Sequence, residues 1–190
     1  MSVLSKTVIK ERLNLEIGVP ESLVITPFDG DALDADSIDL RLGCHFLFPP
    51  LPAQPAVDVQ KRTGSRTDFK LHVPKGGELI LPAHQTVLGV TIEFIKLPYD
   101  LSGQILTKSS VARIFVAIET APWIHPQYRG CLTLEITNGS SSAVTLRPDM
   151  PIGQLILFTI ERPEKSERLS GTYLGPIHPE SPLTQKPHSH

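Results

Sequence analysis

Residues 103–138 read GQILTKSSVARIFVAIETAPWIHPQYRGCLTLEITN, and the end of that stretch, Cys131-Leu132-Thr133-Leu134-Glu135-Ile136, alternates as a strand does. Leu132, Leu134 and Ile136 share one face, while Cys131, Thr133 and Glu135 share the other. A carboxylate among apolar neighbours on a short strand is costly to bury unless something pairs with it. Glu135 is therefore the first candidate for chemistry, with a plain alternative: a strand glutamate paired with a cation at a contact between subunits. Upstream, Lys108-Ser109-Ser110-Val111-Ala112-Arg113 flanks two hydroxyls with two cations, directly after a β-type run. Hydroxyl and backbone N–H donors beside a guanidinium suit a polyphosphate; alone, the motif reads equally as a polar loop before an exposed arginine. Between the two patterns, Ile124-His125-Pro126-Gln127-Tyr128-Arg129-Gly130 is a turn that feeds the strand.

Outward from this stretch the chain keeps the same grammar. Residues 3–16 carry the one helix signal, with Ser5 as its expected cap, Val8, Ile9 and Leu13 on one side, and Gly18 and Pro20 to end it. Residues 22–28 read as a strand stopped by Pro27, and the acidic run 29–36 as a loop whose oxygen spacing is too irregular for a calcium site. Residues 37–43, SIDLRLG, alternate strictly, with Ile38, Leu40 and Leu42 on one face and Ser37, Asp39 and Arg41 on the other. The proline-rich, polar segment 49–76 reads as a surface excursion with a short strand at 68–73. Further β-type runs fall at 78–81, 85–94, 101–106, 143–146 and 153–160. Strands spaced by roughly ten residues, with proline or glycine between them, predict an all-β barrel or sandwich. From residue 163 on, the chain loses periodicity and reads as a flexible arm. The expected organisation is one β domain over 1–162 and a C-terminal arm over 163–190.

Composition sets outer limits. The 190 residues suit one domain with a substantial core. Eighteen Lys+Arg against twenty Asp+Glu give a formal charge of −2, which argues against general nucleic-acid binding and confines any phosphate site to a local cluster. Cys44 and Cys131 show no metal-ligand spacing and read as reduced, partly buried thiols of a cytoplasmic protein. No apolar run reaches transmembrane length, so no membrane partner is expected.

Taken in order, SIDLRLG, a β-rich insert, KSSVAR, a turn leading into RGCLTLEITN, and RPDMPIGQLILF resemble the dCTP deaminase branch of the trimeric dUTPase superfamily over roughly residues 5–160. The resemblance implies a distorted β-barrel or jelly roll of the dUTPase-like type. It implies a homotrimer with active sites between subunits, and a deoxynucleoside triphosphate bound with Mg2+. The substrate implied is dCTP, with dUTP or dTTP as product or inhibitor. The reaction implied is zinc-independent hydrolysis to dUTP and ammonia, and the zinc-deaminase pattern H-x-E with P-C-x-x-C is indeed missing from the sequence. Position by position, the resemblance makes Glu135 the catalytic acid and base, a double role that calls for a raised pKa. It places Lys108, Ser109, Ser110 and Arg113 at the triphosphate, Thr120, Ala121 and His125 around base and sugar, and Tyr173 in the closing arm. No residue is assigned to a metal.

Three departures from the family pattern stand out. His125 occupies the place of an aspartate and cannot supply its fixed negative charge, which counts against dUTP hydrolysis more than against deamination. Gln127 replaces a glycine, which matters if that position needs positive φ. Thr172 stands where a lysine is expected before Tyr173. These leave three hypotheses: a dCTP deaminase, a non-catalytic trimeric nucleotide-binding or regulatory relative, and a dUTPase-type pyrophosphatase, alone or combined with deamination.

Overall fold

Alternating runs of branched and apolar residues become strands because each can turn one face to a shared core. The computed structural model describes residues 2–48, 69–119, 122–161 and 177–179. Among them lie α1 (Lys6–Leu13), β1 (Val24–Thr26), β2 (Ser37–Arg41), β3 (His45–Phe48), β4 (Phe69–His72), β5 (Leu79–Leu81), β6 (Thr86–Lys96) and β7 (Leu101–Thr107). They continue with α2 (Ser109–Ala112), β8 (Val116–Ile118), β9 (Trp123–Ile124), β10 (Arg129–Asn138), β11 (Val144–Leu146) and β12 (Pro151–Thr159). The acidic run holds a single 3-10 turn, Gly30–Ala32, capped by the Asp29 carboxylate, which accepts from the Asp31 N–H at 3.0 Å.

The strands pair antiparallel in three groups. One sheet runs β4-β3-β6-β10-β8, with β1 also on β6; a second runs β2-β12-β7-β9; β11 and β5 form a ribbon. The expected all-β architecture stands, with its strands divided among these sheets rather than joined in one closed cylinder. The core draws on both large sheets: Leu134 and Ile136 of β10 and Val87 of β6, with Leu40 of β2, Leu101 of β7, and Leu155 and Leu157 of β12. Gly89 is required here, because a Cβ at that position would stand 2.9 Å from Ile136 and 3.2 Å from Leu42.

Most expected strands are found within a residue or two of their predicted limits. The helix is shorter than the 3–16 signal, and Ser5 makes no side-chain cap bond. Its place is set instead by tertiary contacts: Lys6 Nζ donates to the Leu33 carbonyl at 2.6 Å, and Ile9 is fully buried. Strands β3, β8 and β9 and the turn of helix α2 have too few residues to show a period. The excursion's residues 49–68 and nearly all of the arm lie outside the described residues.

Candidate functional site

Glu135 sits in mid-strand on β10, with Leu88 of β6 as its Cα partner on one side. On the other side, beyond β8, the Glu119 N–H donates to the Glu135 carbonyl at 2.8 Å. Along β10, Leu132, Leu134 and Ile136 are buried and Thr133, Glu135 and Thr137 are half-buried, as the alternation predicts. The Glu135 Oε2 atom is buried and has no hydrogen-bond partner among the described residues. Burial pushes its pKa above the ordinary carboxylate value; the N–H of residue 135 opposes the rise, and the nearby Glu119 charge adds to it. No ion pair to Glu135 exists among the described residues.

A second strand glutamate shows the opposite arrangement. Glu93 on β6 is 3% exposed, yet its Oε1 accepts from Arg41 Nε at 2.7 Å and its Oε2 from the Arg41 backbone N–H at 2.9 Å. Arg41 also reaches Asp149 at 2.9 Å. Sequence reading passed over Glu93, although its place in the β-type run 85–94 could have flagged a buried carboxylate in need of Arg41. Asn138 was missed as well: fully buried at the end of β10, its side-chain amide donates to the carbonyls of Leu81, Pro82 and Ser142. One carboxylate is thus structural and satisfied, and the other keeps a buried oxygen with no hydrogen-bond partner among the described residues.

The KSSVAR motif forms the turn of helix α2. Lys108 precedes it, with its N–H donating to the Ile152 carbonyl at 3.0 Å and its ammonium paired with Asp39 of β2. Asp39 is also held by Gln154 Nε2 at 3.2 Å. The Lys108 cation is therefore already committed within the chain, whereas Ser109, Ser110 and Arg113 are exposed. Beyond α2, the Ile118 N–H donates to Thr107 Oγ1 at 2.8 Å, which ties β8 back to β7. No hydrogen bond or ion pair joins Ser109, Ser110 or Arg113 to Glu135 among the described residues. The donors here are hydroxyls and a guanidinium, which fit anionic oxygen rather than a divalent cation.

His125 is exposed and opens a tight turn in which the Tyr128 N–H donates to the His125 carbonyl at 3.3 Å. Gln127 has φ 61°, so the position does require the left-handed region, and a non-glycine residue occupies it. Proline second and positive φ third is the pattern of a type II turn. The turn is pinned by Gln127 N–H to the Pro98 carbonyl at 3.3 Å and by Tyr128 O–H to the Cys131 carbonyl at 2.8 Å. Thr120, Ala121 and Tyr173 lie outside the described residues, as does Thr172.

Comparison with known proteins now bears on this geometry. The family model described as dCTP deaminase-like matches residues 3–160. The chain belongs to the dCTP deaminase-like family. A relative from Mycobacterium avium (strain 104), named "dCTP deaminase, dUMP-forming", is 36% identical over 159 residues, 80% of this chain and 83% of its own. Another of the same name, from Sulfurihydrogenibium sp. (strain YO3AOP1), is 37% identical over 154 residues, again 80% and 83%. The crystal structure of 2'-deoxycytidine 5'-triphosphate deaminase from Agrobacterium tumefaciens superposes with a TM-score of 0.62 at 19% identity, over 82% of this chain and 47% of that one. That likeness speaks for the fold. The family expected from the motif order is the one found; the relatives' name gives dUMP as their product, where the resemblance implied dUTP.

Proposed function

We propose that this dCTP deaminase-like protein hydrolyses the exocyclic amine of dCTP, with Glu135 moving the protons. The observation that carries the reading is the buried Oε2 of Glu135, without a hydrogen-bond partner among the described residues, on a sheet where the buried glutamate of the neighbouring strand β6, Glu93, is paired with Arg41. In the ionised state the Glu135 carboxylate takes a proton from water as the oxygen bonds to C4 of the cytosine. The resulting tetrahedral adduct carries both oxygen and amine on C4. Returning the proton to the amine lets the C4–N bond break, releasing ammonia and leaving the 4-hydroxy ring, whose hydroxyl proton passes to N3 to give uracil. A carboxyl biased toward its neutral form by burial serves both half-steps near neutral pH.

Ser109, Ser110 and Arg113 supply the triphosphate donors in this reading, and Lys108 backs them from its pair with Asp39. His125, with Thr120 and Ala121, frames sugar and base, and Tyr173 belongs to the arm that completes the pocket. A homotrimer in the cytoplasm, with Mg2+ carried by the nucleotide, is part of the proposal.

A second reading adds cleavage of the triphosphate, giving dUMP and pyrophosphate; the name of the relatives favours it. His125 in place of the family aspartate weighs against it. Incubating the protein with dCTP, dUTP and Mg2+ and scoring ammonia and pyrophosphate separately decides the matter. Ammonia without pyrophosphate supports the first reading, both together the second, and nucleotide binding without either product a non-catalytic relative.

A further inference from the structure

Glu135 does not face its neighbours alone. From β6 it meets Leu88, with Thr86 and Val90 flanking, and from its own strand Thr133 and Thr137; none of these is charged. The remaining neighbour, on the segment that leaves β8, is Glu119, fixed to Glu135 through the 2.8 Å main-chain bond. The Glu119 side chain is also held in place. Thr137 Oγ1 donates to Glu119 Oε2 at 3.2 Å, and Thr86 and Thr137 share a hydroxyl contact of 2.8 Å. Each hydroxyl has one hydrogen, so with the Thr137 hydrogen on Glu119, Thr86 donates to Thr137. The relay runs from the Thr86 hydroxyl on β6 through Thr137 on β10 to the Glu119 carboxylate. Of the other charges on this sheet, Glu93 is locked by Arg41, Lys96 and Arg129 are Cα partners at the far end of the β6–β10 ladder, and Lys70 of β4 lies in the Glu135 row but beyond both Leu47 and Leu88.

We propose that Glu119 is a positioning residue for Glu135, a second carboxylate set beside it by the strand ladder and steadied by the Thr86–Thr137 hydroxyl relay, which keeps Glu135 basic enough to draw a proton from water. This rests on the reading of Glu135 given above. A like charge beside a carboxylate favours its protonated form, and a stronger base abstracts a proton more readily. Deleting the Glu119 charge weakens that base without touching the nucleotide donors at residues 109–113.

The test compares wild type, E119Q, E119D, T137V and E135Q. Deamination is read as a pH profile of kcat/KM, and nucleotide affinity and the 13C titration of the Glu135 side chain are read separately. Assignment of that resonance comes from its loss in E135Q. Expected for E119Q are an acidic limb moved to lower pH, a Glu135 titration moved the same way, a reduced plateau and unchanged nucleotide affinity. E119D, which keeps the charge, holds the limb near its wild-type position, and T137V gives a smaller displacement than E119Q. An E119Q limb and titration that stay in place overturn the inference, as does weakened nucleotide binding with an unmoved profile. Undiminished turnover in E135Q sinks the proposed function instead; the Glu135 titration in E119Q still decides whether the two carboxylates are coupled.

Discussion

Arg41 Nε donates to Glu93 Oε1 at 2.7 Å, joining β2 of one large sheet to β6 of the other across 52 residues of sequence. The pair places a charge inside the molecule and satisfies it from two directions, since the Arg41 backbone N–H also reaches Glu93. Removing one member of such a pair strands the other. Arg41→Ala should lower unfolding free energy by about 3–5 kcal/mol in urea titration. Adding Glu93→Gln in the same chain should recover part of that loss, and a double variant no more stable than Arg41→Ala would contradict this account.

Glu135 should behave in the opposite way. Its folded-state pKa is raised above the ordinary 4.5, chiefly by burial. A raised carboxylate pKa means the folded state binds the proton more tightly than the unfolded state does. The resulting stability is full below pH 4.5 and is lost as pH climbs through the higher folded value. Glu135→Gln stays neutral throughout, so it should be more stable than wild type at neutral pH, by a margin that shrinks toward acid. The same variant should lose ammonia release by at least ~100-fold while still binding nucleotide. Thermal melts between pH 4 and 8, beside an ammonia assay, check both halves; equal melts at every pH would refute the first.

Gln127 holds φ at 61° in the turn after His125. Left-handed backbone costs a non-glycine residue on the order of 1 kcal/mol, part of which glycine returns through unfolded-chain entropy. Gln127→Gly should therefore stabilise the protein by up to about 1 kcal/mol, measured by urea unfolding. A destabilised variant would show that the Gln127 side chain outweighs the strain of its backbone.

His45 is ringed by other histidines: His72, its Cα partner on β4, at 4.8 Å between centroids, and His178 at 4.3 Å. Burial first, then the like charges of His178 and His72, lowers the His45 pKa from 6.5. A lowered imidazole pKa means that the released state takes up the proton more readily. Attachment of residues 177–179 is thus fully favoured above pH 6.5 and weakens as pH falls from there toward the lowered value. Amide protection factors at Ile177 and His178, corrected for intrinsic exchange, should fall as pH drops from 7 to 5. Removing one of the facing charges with His178→Ala should flatten the dependence of His45 titration on its neighbours. Protection factors unchanged across that range would rule the coupling out.

How far the sequence carried depends on the residue. The KSSVAR loop and the alternation of residues 131–136 were legible, because local period and composition fix a strand's two faces. The Lys108 pairing was not, since its partner Asp39 lies on β2 and meets it only through the β2-β12-β7 sheet. The Ser5 cap failed for the same kind of reason: the helix takes its start from the contacts of Lys6 and Ile9, not from its own side-chain cap.

By itself, the sequence determined the all-β class, the spacing and facing of most strands, and the ordered motifs that place the chain in its family. Those properties are short-range, set by the two-residue period of an extended chain and by turn-forming residues between runs. Only the tertiary structure decided which strand carboxylate is paired and which keeps a buried oxygen with no hydrogen-bond partner among the described residues. That distinction depends on register between segments far apart in the chain, which brings Arg41 to Glu93 and leaves Glu135 beside Glu119.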